Sequence, residues 1–398
     1  MIVEPKVRGF ICTSAHAIGC SGNVNHQVDY IKARPKIDGA KKVLVIGAST
    51  GYGLASRITT AFAGGAATIG VIFDKPADGR RTASAGWYNT AAFEQRAHEE
   101  GLYAKSINGD AFSAEIKQQT IAMIKEDLGQ VDLIVYSLAS PRRNMADGTT
   151  YNSVLKTTDG EYTNTSIDLK NNILTEVTIP QATEEEILST VKVMGGEDWK
   201  DWITELSKAG VLAPVTVTVA YSYLGPAMTH PIYLNGSIGM AKKHLSDTAD
   251  QICREFSGVT AYISVNKALV TQASAAIPIV PLYISILYKV MKEMGIHEGC
   301  IEQMYRLYHD KLYTAKPVLD LEGRLRVDDW EMRADVQERI AKIWPEIRTE
   351  NIDQYCDITG YWEDFYQMFG FRLPSVDYTQ DIDPSVNIPS IVFAEYNP

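Results

Sequence analysis

The sequence predicts an α/β protein built on a doubly wound parallel sheet. Three observations lead to this fold class. Short, almost wholly apolar runs recur along the chain, helical patterns separate them, and a glycine-rich turn follows the first run and opens a helix. Apolar runs of this length are typical of central parallel strands covered on both faces, and regular strand–helix alternation implies right-handed crossovers.

The predicted elements follow one another in order. Residues 42–46 (KVLVI) form the first strand, and Leu54, Ile58 and Phe62 mark one face of the helix after it. Further strands are predicted at 67–73, 102–107, 131–138, 215–221 and 260–265. Further helices are predicted at 88–100, 113–128, 237–256, 301–313 and 328–343.

The alternation breaks over residues 141–210. Asp-Gly turn signals there separate runs in which apolar and polar side chains alternate, and this indicates a small antiparallel hairpin sheet. Thr183–Glu186 has the form of a capping box and opens a helix, and a second helix carries Trp199 and Trp202. We interpret this segment as a β-hairpin and helical insertion that forms a lid beside the binding cleft.

The domain organisation follows from how many of the residues belong to a single sheet and its covering helices. We assign about 41–140 and 211–290 to the core, 141–210 to the insertion, and about 295–398 to a C-terminal helical addition and tail. The sequence therefore predicts a single elaborated domain over 1–398. Because the insertion and the tail cover surfaces that smaller proteins of this architecture use for assembly, we expect a monomer.

Composition excludes several classes of function. The 398 residues are 45% hydrophobic, and their net charge of -11, without a sustained basic block, argues against a nucleic-acid surface. The five cysteines are scattered without a C-x-x-C, and the seven histidines form no metal-binding pair, so we expect no disulfide framework and no metal.

The N-terminus lacks a signal core, which favours the cytoplasm. The apolar stretch 268–288 contains Gln272 and two prolines, so we predict a buried cleft wall without membrane insertion.

The glycine turn indicates a dinucleotide site in a Rossmann-type sheet. Gly47, Gly51 and Gly53 follow the first strand directly, where the backbone can approach a pyrophosphate at a helix N-terminus. Asp74 ends the second strand, where a carboxylate can accept hydrogen bonds from the adenosine ribose and would repel a 2′-phosphate. NADH is therefore expected in preference to NADPH. Residues Asp110, after the third strand, and 137–139, after the fourth, lie on the expected cofactor path.

A hydride-transfer enzyme also needs a proton donor, and Tyr221, Tyr223 and Tyr233 follow the fifth strand. Tyr233 and Lys242 are nine residues apart, which would place them on opposite faces of one helix at about 100° per residue. They can converge only if Tyr233 precedes the helix, with Ser237 as its N-cap. Lys242 would then bind the nicotinamide ribose and lower the pKa of Tyr233.

Several longer motifs point to one family. GASTGYGLASR, YSLASP, VKVMGGEDW, AYSYLGP, the Tyr-x8-Lys pair in YLNGSIGMAK, and VNKALVTQASAAIPIVPLY together resemble the NADH-dependent trans-2-enoyl-CoA reductases and the related Tyr-x8-Lys enoyl-acyl-carrier-protein reductases. The resemblance covers essentially the whole chain. It implies an enlarged short-chain dehydrogenase/reductase that reduces the 2,3 double bond of an enoyl thioester, in fatty-acid biosynthesis or butyrate-type metabolism.

The resemblance also implies the roles of particular residues. Tyr233 would donate the proton, Lys242 would act at the nicotinamide side, and Tyr223 would contact the substrate. Residues 277–288 and part of the insertion would shield an acyl chain from water. NADH would be held by a larger set: Gly47, Ala48, Ser49, Thr50, Gly51, Tyr52, Phe73, Asp74, Asp110, Ala111, Leu138, Ala139, Lys242, Thr271, Gln272 and Ala273.

Alternatives remain open from the sequence. The substrate is expected to be a short-chain enoyl-CoA such as crotonyl-CoA, with the acyl-carrier-protein ester as the alternative, for which the pairs Arg80-Arg81 and Arg142-Arg143 would offer a basic rim. A 3-ketoacyl or other carbonyl reductase on the same scaffold is a second alternative. A non-catalytic protein that senses NAD(H) is a third, and the Tyr233 and Lys242 pair argues against it.

Overall fold

The order of strands in the main sheet decides where a ligand can bind. The structure is a computed structural model that describes residues 1–9, 11–272, 274 and 277–391. Within these ranges, seven parallel strands form one sheet in the order β13-β12-β11-β6-β3-β4-β5. The strands are β1 (Val7–Arg8), β2 (Ile11–Cys12), β3 (Lys42–Ile46), β4 (Ala67–Ile72), β5 (Ala104–Asn108), β6 (Val131–Tyr136), β7 (Arg142–Asn144), β8 (Thr150–Asn152), β9 (Tyr162–Asp168), β10 (Ile173–Ile179), β11 (Leu212–Ser222), β12 (Val259–Val265) and β13 (Leu325–Arg326).

Helices cover both faces of this sheet. They are α1 (Ala17–Lys32), α2 (Gly51–Phe62), α3 (Ala85–Glu99), α4 (Ala114–Met123), α5 (Glu184–Met194), α6 (Glu197–Lys208), α7 (Ser237–Glu255), α8 (Val280–Glu293), α9 (Cys300–Arg306), α10 (Ala334–Ile343), α11 (Ile352–Tyr355) and α12 (Ile358–Gln367). Val43 and Val45 of β3 belong to one core cluster, and Leu44 and Ile46 belong to the other. The predicted doubly wound parallel fold is therefore confirmed.

The two halves of the sheet meet between β3 and β6, which are neighbours in the sheet. The chain forms β3, β4 and β5 in one half and then crosses to the other half at β6. Strands β4 and β5 extend the sheet on one side, and β11, β12 and β13 extend it on the other. Open α/β sheets bind ligands at such a switch point, beyond the carboxyl ends of the strands. The glycine turn lies here, since it joins β3 to α2.

Most predicted boundaries agree with the structure to within a few residues, and the exceptions have local causes. The helices predicted at 113–128 and 301–313 both widen into π-helical turns at their ends, Ile124–Leu128 and Leu307–Leu312. The helix predicted at 328–343 begins only at Ala334, because β13 and a turn precede it. Before residue 41, where the sequence predicts no element, the structure has α1 and a short hairpin.

The insertion contains the predicted hairpins. β7 pairs with β8 and β9 with β10, in both cases antiparallel, and the capping box of α5 forms between Thr183 and Glu186. α6 differs from the expectation, because Trp199 and Trp202 are fully buried in the core beside the sheet. α6 is thus a sheet-covering helix, and residues 142–194 are the part that stands apart from the sheet.

The predicted buried wall at 268–288 leads into α8. Most side chains of α8 are inaccessible to solvent from Val280 to Tyr288. No helix among the described residues is long and apolar enough to cross a membrane.

Candidate active site

The turn between β3 and α2 is shaped by two glycines that have no room for a side chain. Gly47 has a φ of +84°, and a Cβ on it would lie 2.2 Å from the carbonyl oxygen of Ser137. A Cβ on Gly53 would lie 1.9 Å from the carbonyl oxygen of Gly47. The turn is therefore folded tightly against the end of β6, and the first turn of α2 presents its N–H groups at the switch point.

Asp74 lies directly after β4, at the position expected for the adenosine ribose. The hydroxyl of Ser84 donates a hydrogen bond of 2.8 Å to its Oδ1 atom. Burial raises the pKa of Asp74, and hydrogen bonds from Ser49 and Ser84 act in the opposite direction. The neighbouring Phe73 side chain is 78% exposed, so its ring is free to meet a ligand.

The remaining predicted cofactor residues lie at the same edge of the sheet. The Oδ1 atom of Asp110 accepts a hydrogen bond from the backbone N–H of Phe112, and Ala111 is buried. Leu138 follows β6 and packs against the core, with Ala139 next to it. The hydroxyl of Tyr52 donates to the carbonyl oxygen of Lys267 at 2.7 Å, which joins the glycine turn to the segment after β12.

Thr271 and Gln272 lie in that segment after β12. The Oγ atom of Ser274 accepts a hydrogen bond from the backbone N–H of Thr271 at 2.9 Å, so a local turn holds the residue. Ala273, also predicted to contact the cofactor, lies outside the described residues.

Tyr233 precedes α7, as the spacing argument required. It lies in the turn before Gly236, which is the N-cap, and its backbone N–H donates to the carbonyl oxygen of Thr229. The prediction that Ser237 caps the helix is wrong, since Ser237 is the first helical residue. Its hydroxyl instead donates to the carbonyl oxygen of Val154 at 2.5 Å and so attaches the insertion to the start of α7.

The three candidate tyrosines have different surroundings. The hydroxyl of Tyr221 is hydrogen-bonded to Ser56 and, at 3.0 Å, to Tyr308, so it is occupied inside the protein. The rings of Tyr223 and Tyr233 meet edge to face with their centroids 4.8 Å apart. Tyr233 is 8% exposed, and its hydroxyl has no hydrogen-bond partner among the described residues. The geometry thus singles out Tyr233, with Tyr223 beside it.

Lys242 points from α7 toward the end of β11. Its Nζ atom donates to the carbonyl oxygen of Tyr221 at 3.3 Å, and burial lowers its pKa to about 8. The expectation that Lys242 lowers the pKa of Tyr233 is wrong. Burial and the negative charge of Glu331 raise the pKa of Tyr233, so its hydroxyl keeps its proton and can donate it.

Glu331 lies against these tyrosines and was not predicted from the sequence. Its side chain is fully buried, and it accepts hydrogen bonds from Tyr223 at 3.0 Å and from Tyr283 at 2.7 Å. It lies in the turn between β13 and α10, within a segment predicted as the start of a helix. The strand before it, β13, has only two residues and therefore no apolar run that would predict a strand. For this reason nothing in the sequence indicated that Glu331 follows the end of a strand.

Arg143 does not belong to a basic rim. It is 4% exposed, and its guanidinium donates to the carbonyl oxygen of Lys192 and pairs with Glu197. It also lies 3.8 Å from the buried Asp198, which pairs with Lys117. The arginine therefore fastens the insertion to the core.

A cavity of about 750 Å³ lies between the β9–β10 hairpin and α12. Apolar and aromatic side chains such as Ile167, Trp362 and Phe365 line it. None of the predicted catalytic or cofactor residues is among the lining residues, although Pro278 belongs to the predicted acyl wall. The catalytic residues that the sequence predicts are therefore not part of the lining of this cavity. Among the described residues, no group of His, Cys, Asp and Glu side chains has a metal-binding arrangement.

A glycine turn at the switch point, Asp74 after the next strand, and a tyrosine and a lysine beyond the neighbouring strand β11 are together typical of a nicotinamide-dependent oxidoreductase. Three family models match the chain: the NAD(P)H binding domain of trans-2-enoyl-CoA reductase over 2–79, the trans-2-enoyl-CoA reductase catalytic region over 81–313, and the enoyl reductase FAD binding domain over 319–382. The chain belongs to the trans-2-enoyl-CoA reductase family.

Relatives from several bacteria match the whole chain. An enoyl-[acyl-carrier-protein] reductase [NADH] from Cytophaga hutchinsonii and a trans-2-enoyl-CoA reductase [NADH] from Ruminiclostridium cellulolyticum are each 56% identical over 98% of this chain and 100% of their own length. The solved trans-2-enoyl-CoA reductase of Treponema denticola in complex with NAD superposes with a TM-score of 0.94 at 46% identity, over 98% of this chain and 100% of that one. That of Clostridium acetobutulicum with NADH also gives 0.94, at 45% identity, over 96% and 98%.

The third family model is named for a flavin, but residues 319–382 contain no glycine turn that joins a strand to a helix. Strand β13 leads to α10 through residues 327–333, which include no glycine, and the side chains of Asp328 and Glu331 there are buried. The segment therefore has no counterpart of the Gly47 turn, its residues do not fit a flavin dinucleotide, and we derive no step through it.

Proposed function

We propose that this protein reduces the 2,3 double bond of trans-2-enoyl thioesters with NADH, short-chain enoyl-CoA being its main substrate. The observation that carries the proposal is the buried Tyr233 hydroxyl, which keeps its proton and has no partner among the described residues. A free, neutral phenol beside a nicotinamide site suits the stabilisation of an enolate, which is the charge that develops on a thioester oxygen in this reaction.

Bound NADH supplies the hydride, which is added to Cβ of the enoyl thioester. The residues of the chain then have distinct tasks. Tyr233 donates a hydrogen bond to the thioester oxygen as negative charge builds there. Its proton then passes to the enolate and forms the new C–H bond at Cα, and a proton from solvent restores the phenol. Tyr223 packs against Tyr233, and it would contact the substrate beside that ring. Residues 277–288 and the insertion exclude water from the acyl chain.

Two groups of residues would hold NADH. Gly47 to Tyr52 and Lys242 would take the pyrophosphate and the nicotinamide ribose, with the Thr271-Gln272-Ala273 segment on the nicotinamide side. On the adenosine side, Asp74 would accept hydrogen bonds from the ribose. The remaining predicted residues would border the adenine and the ribose: Phe73, Asp110, Ala111, Leu138 and Ala139. Their common position beyond the carboxyl ends of the strands supports the assignment.

Asp74→Asn is expected to weaken the preference for NADH. The wild type should use NADH about 100-fold better than NADPH in kcat/KM, because the carboxylate repels a 2′-phosphate, and the amide should reduce this ratio to about tenfold. Steady-state rates with both cofactors measure it. Asp78→Asn, which removes an exposed carboxylate from the same loop, is the control. An unchanged ratio in Asp74→Asn would remove Asp74 from the ribose site.

The activity is expected to depend on the protonation of Lys242. Its pKa of about 8 means that the side chain is a cation below pH 8 and loses its charge above it. We expect kcat/KM for NADH to fall as the pH rises through about 8. In Lys242→Arg, whose guanidinium stays charged, this alkaline limb should disappear. A limb that persists at the same pH in the arginine variant would assign the titration to another group.

The choice of CoA over a carrier protein is part of the proposal. An acidic carrier would need a basic rim, and the burial of Arg143 removes one of the four arginines that the sequence offered. Arg80, Arg81 and Arg142 are exposed and can meet the phosphates of CoA. The net charge of -11 further disfavours an acidic partner.

The test follows NADH oxidation at 340 nm with crotonyl-CoA, the crotonyl ester of the acyl-carrier protein, and acetoacetyl-CoA. We expect kcat/KM to be highest for crotonyl-CoA. A higher value for the carrier ester would reassign the main substrate, and a higher value for acetoacetyl-CoA would identify a carbonyl reductase. NADH binding without turnover of any thioester would identify an NAD(H)-sensing protein.

We also propose that the protein works as a monomeric single domain in the cytoplasm. The C-terminal segment supports the single domain, since it supplies β13 to the sheet and Glu331 to the site. The five free cysteines support a reducing compartment. Sedimentation equilibrium tests the monomer, and a mass of two or more chains would contradict it.

A further inference from the structure

Glu331 is a fully buried carboxylate for which the sequence predicts no role. It follows β13, the edge strand that pairs with β12 at Ser264 and Val265, and so it lies beyond the carboxyl end of the sheet like Asp74 and Asp110. Unlike those two, its side chain has no exposed surface. A carboxylate in such a place is costly unless hydrogen bonds and a cation compensate for the lost water.

Three donors satisfy this carboxylate. The hydroxyls of Tyr223 and Tyr283 donate to its Oε1 atom at 3.0 and 2.7 Å, and the backbone N–H of Ala268 donates to its Oε2 atom at 2.8 Å. The buried Lys267 adds a positive charge nearby, and its ammonium donates to the carbonyl oxygen of Ala268 at 2.9 Å. The arrangement suits an ionised carboxylate that accepts from all three donors.

The contact with Tyr223 has a consequence for the proton in the site. A phenol has a single O–H group, and that of Tyr223 is used in the hydrogen bond to Glu331. It is therefore not available to donate a hydrogen bond to the substrate. Tyr223 is thereby held in one orientation, and its ring supports that of Tyr233 at a centroid distance of 4.8 Å. The hydroxyl of Tyr233 is then the one left to donate to the thioester oxygen.

We propose that Glu331 is a positioning residue of the reductase site: its carboxylate, brought in by the C-terminal segment, fixes the hydroxyl of Tyr223 and thereby the orientation of Tyr233. This inference rests on the proposed function. The same Oε1 atom of Glu331 accepts from both Tyr223 and Tyr283. A positioning role predicts that the effect of Glu331 on turnover depends on Tyr223 and not on Tyr283, whereas a purely structural role predicts no such difference.

The test is a double-mutant cycle on turnover of crotonyl-CoA. Glu331→Gln keeps the shape of the side chain and removes the charge, and it is made in the wild type, in Tyr223→Phe and in Tyr283→Phe. We expect Glu331→Gln alone to lower kcat about 30-fold while Kd for NADH changes less than about twofold. In Tyr223→Phe the same change should lower kcat by less than about twofold, and in Tyr283→Phe it should keep its full effect.

In an active enzyme, two outcomes overturn the inference. One is an unchanged kcat in Glu331→Gln, and the other is an equal loss in the Tyr223→Phe background, which shows that the effect does not pass through Tyr223. Should Glu331→Gln not fold, Glu331→Asp enters the same cycle, since the shorter side chain withdraws the carboxylate from Tyr223 and keeps the charge. A wild type that turns over no enoyl thioester overturns the proposed function and this inference together. An active wild type with an additive cycle overturns this inference alone.

Discussion

Tyr233→Phe is expected to lower kcat with crotonyl-CoA by about 10²- to 10³-fold, because it removes the hydrogen-bond donor aimed at the developing enolate. The ring that packs against Tyr223 remains, so the local structure should be kept. NADH binding should also be retained, since the hydroxyl has no partner among the described residues. Stopped-flow measurement of hydride transfer, with a fluorescence titration of NADH, separates the two effects.

Tyr221→Phe is the matched control for this prediction. Its hydroxyl is bound to Ser56 and Tyr308 inside the protein, so its loss should reduce the free energy of unfolding by about 1 kcal/mol and change kcat less than about threefold. A Tyr233→Phe variant with wild-type turnover would refute the assignment of the proton donor. A large loss of turnover in Tyr221→Phe together with an active Tyr233→Phe would move the role to Tyr221.

Gly47→Ala is expected to lower the affinity for NADH by about 100-fold, which corresponds to about 2.7 kcal/mol. The new Cβ would lie 2.2 Å from the carbonyl oxygen of Ser137, a backbone atom that cannot move without displacing the end of β6. The turn must therefore shift away from the strand, and its N–H groups lose their alignment with a pyrophosphate. Isothermal titration with NADH measures the loss.

Gly323→Ala separates this clash from simple backbone strain. Gly323 has a φ of +76°, close to the +84° of Gly47, but a Cβ there would meet nothing within 4 Å. It should cost only the strain of a left-handed residue, about 1–2 kcal/mol of unfolding free energy, and leave NADH binding unchanged. Equal affinities of the two variants for NADH would show that the close approach of Gly47 to Ser137 has no bearing on the cofactor site.

The elements that could be predicted from the sequence are those with a local cause. The run KVLVI is apolar throughout because both faces of β3 are covered, and its predicted bounds agree with the structure. The capping box at Thr183 and Glu186 is a contact between residues three apart, so it too is visible in the sequence. The position of Tyr233 before α7 followed from the requirement that Tyr233 and Lys242 converge, because nine residues span two and a half helical turns and would place the two on opposite faces of one helix.

The errors arose where distant segments meet. Arg143 reads as a surface charge beside Arg142, but α6 brings Glu197 and Asp198 to it and the residue is buried. Ser237 has the residue type of an N-cap, yet its hydroxyl is taken by Val154 of the insertion. The pKa of Tyr233 depends on burial and on Glu331, which is 98 positions away in the chain. In each case the partner is remote in sequence.

The sequence by itself determined the doubly wound sheet and predicted that the glycine turn and Asp74 lie at the ends of neighbouring strands, and both depend on apolar periodicity or on spacing within a few turns of chain. The Tyr233 and Lys242 pair remains a prediction, which the sequence supports chiefly through the longer motifs of the family resemblance. Only the tertiary structure decided which tyrosine is free, which arginine is buried, and that Glu331 enters the site from beyond β13. Burial and hydrogen bonding between remote segments set the charge and orientation of a side chain, and neither is encoded in local spacing.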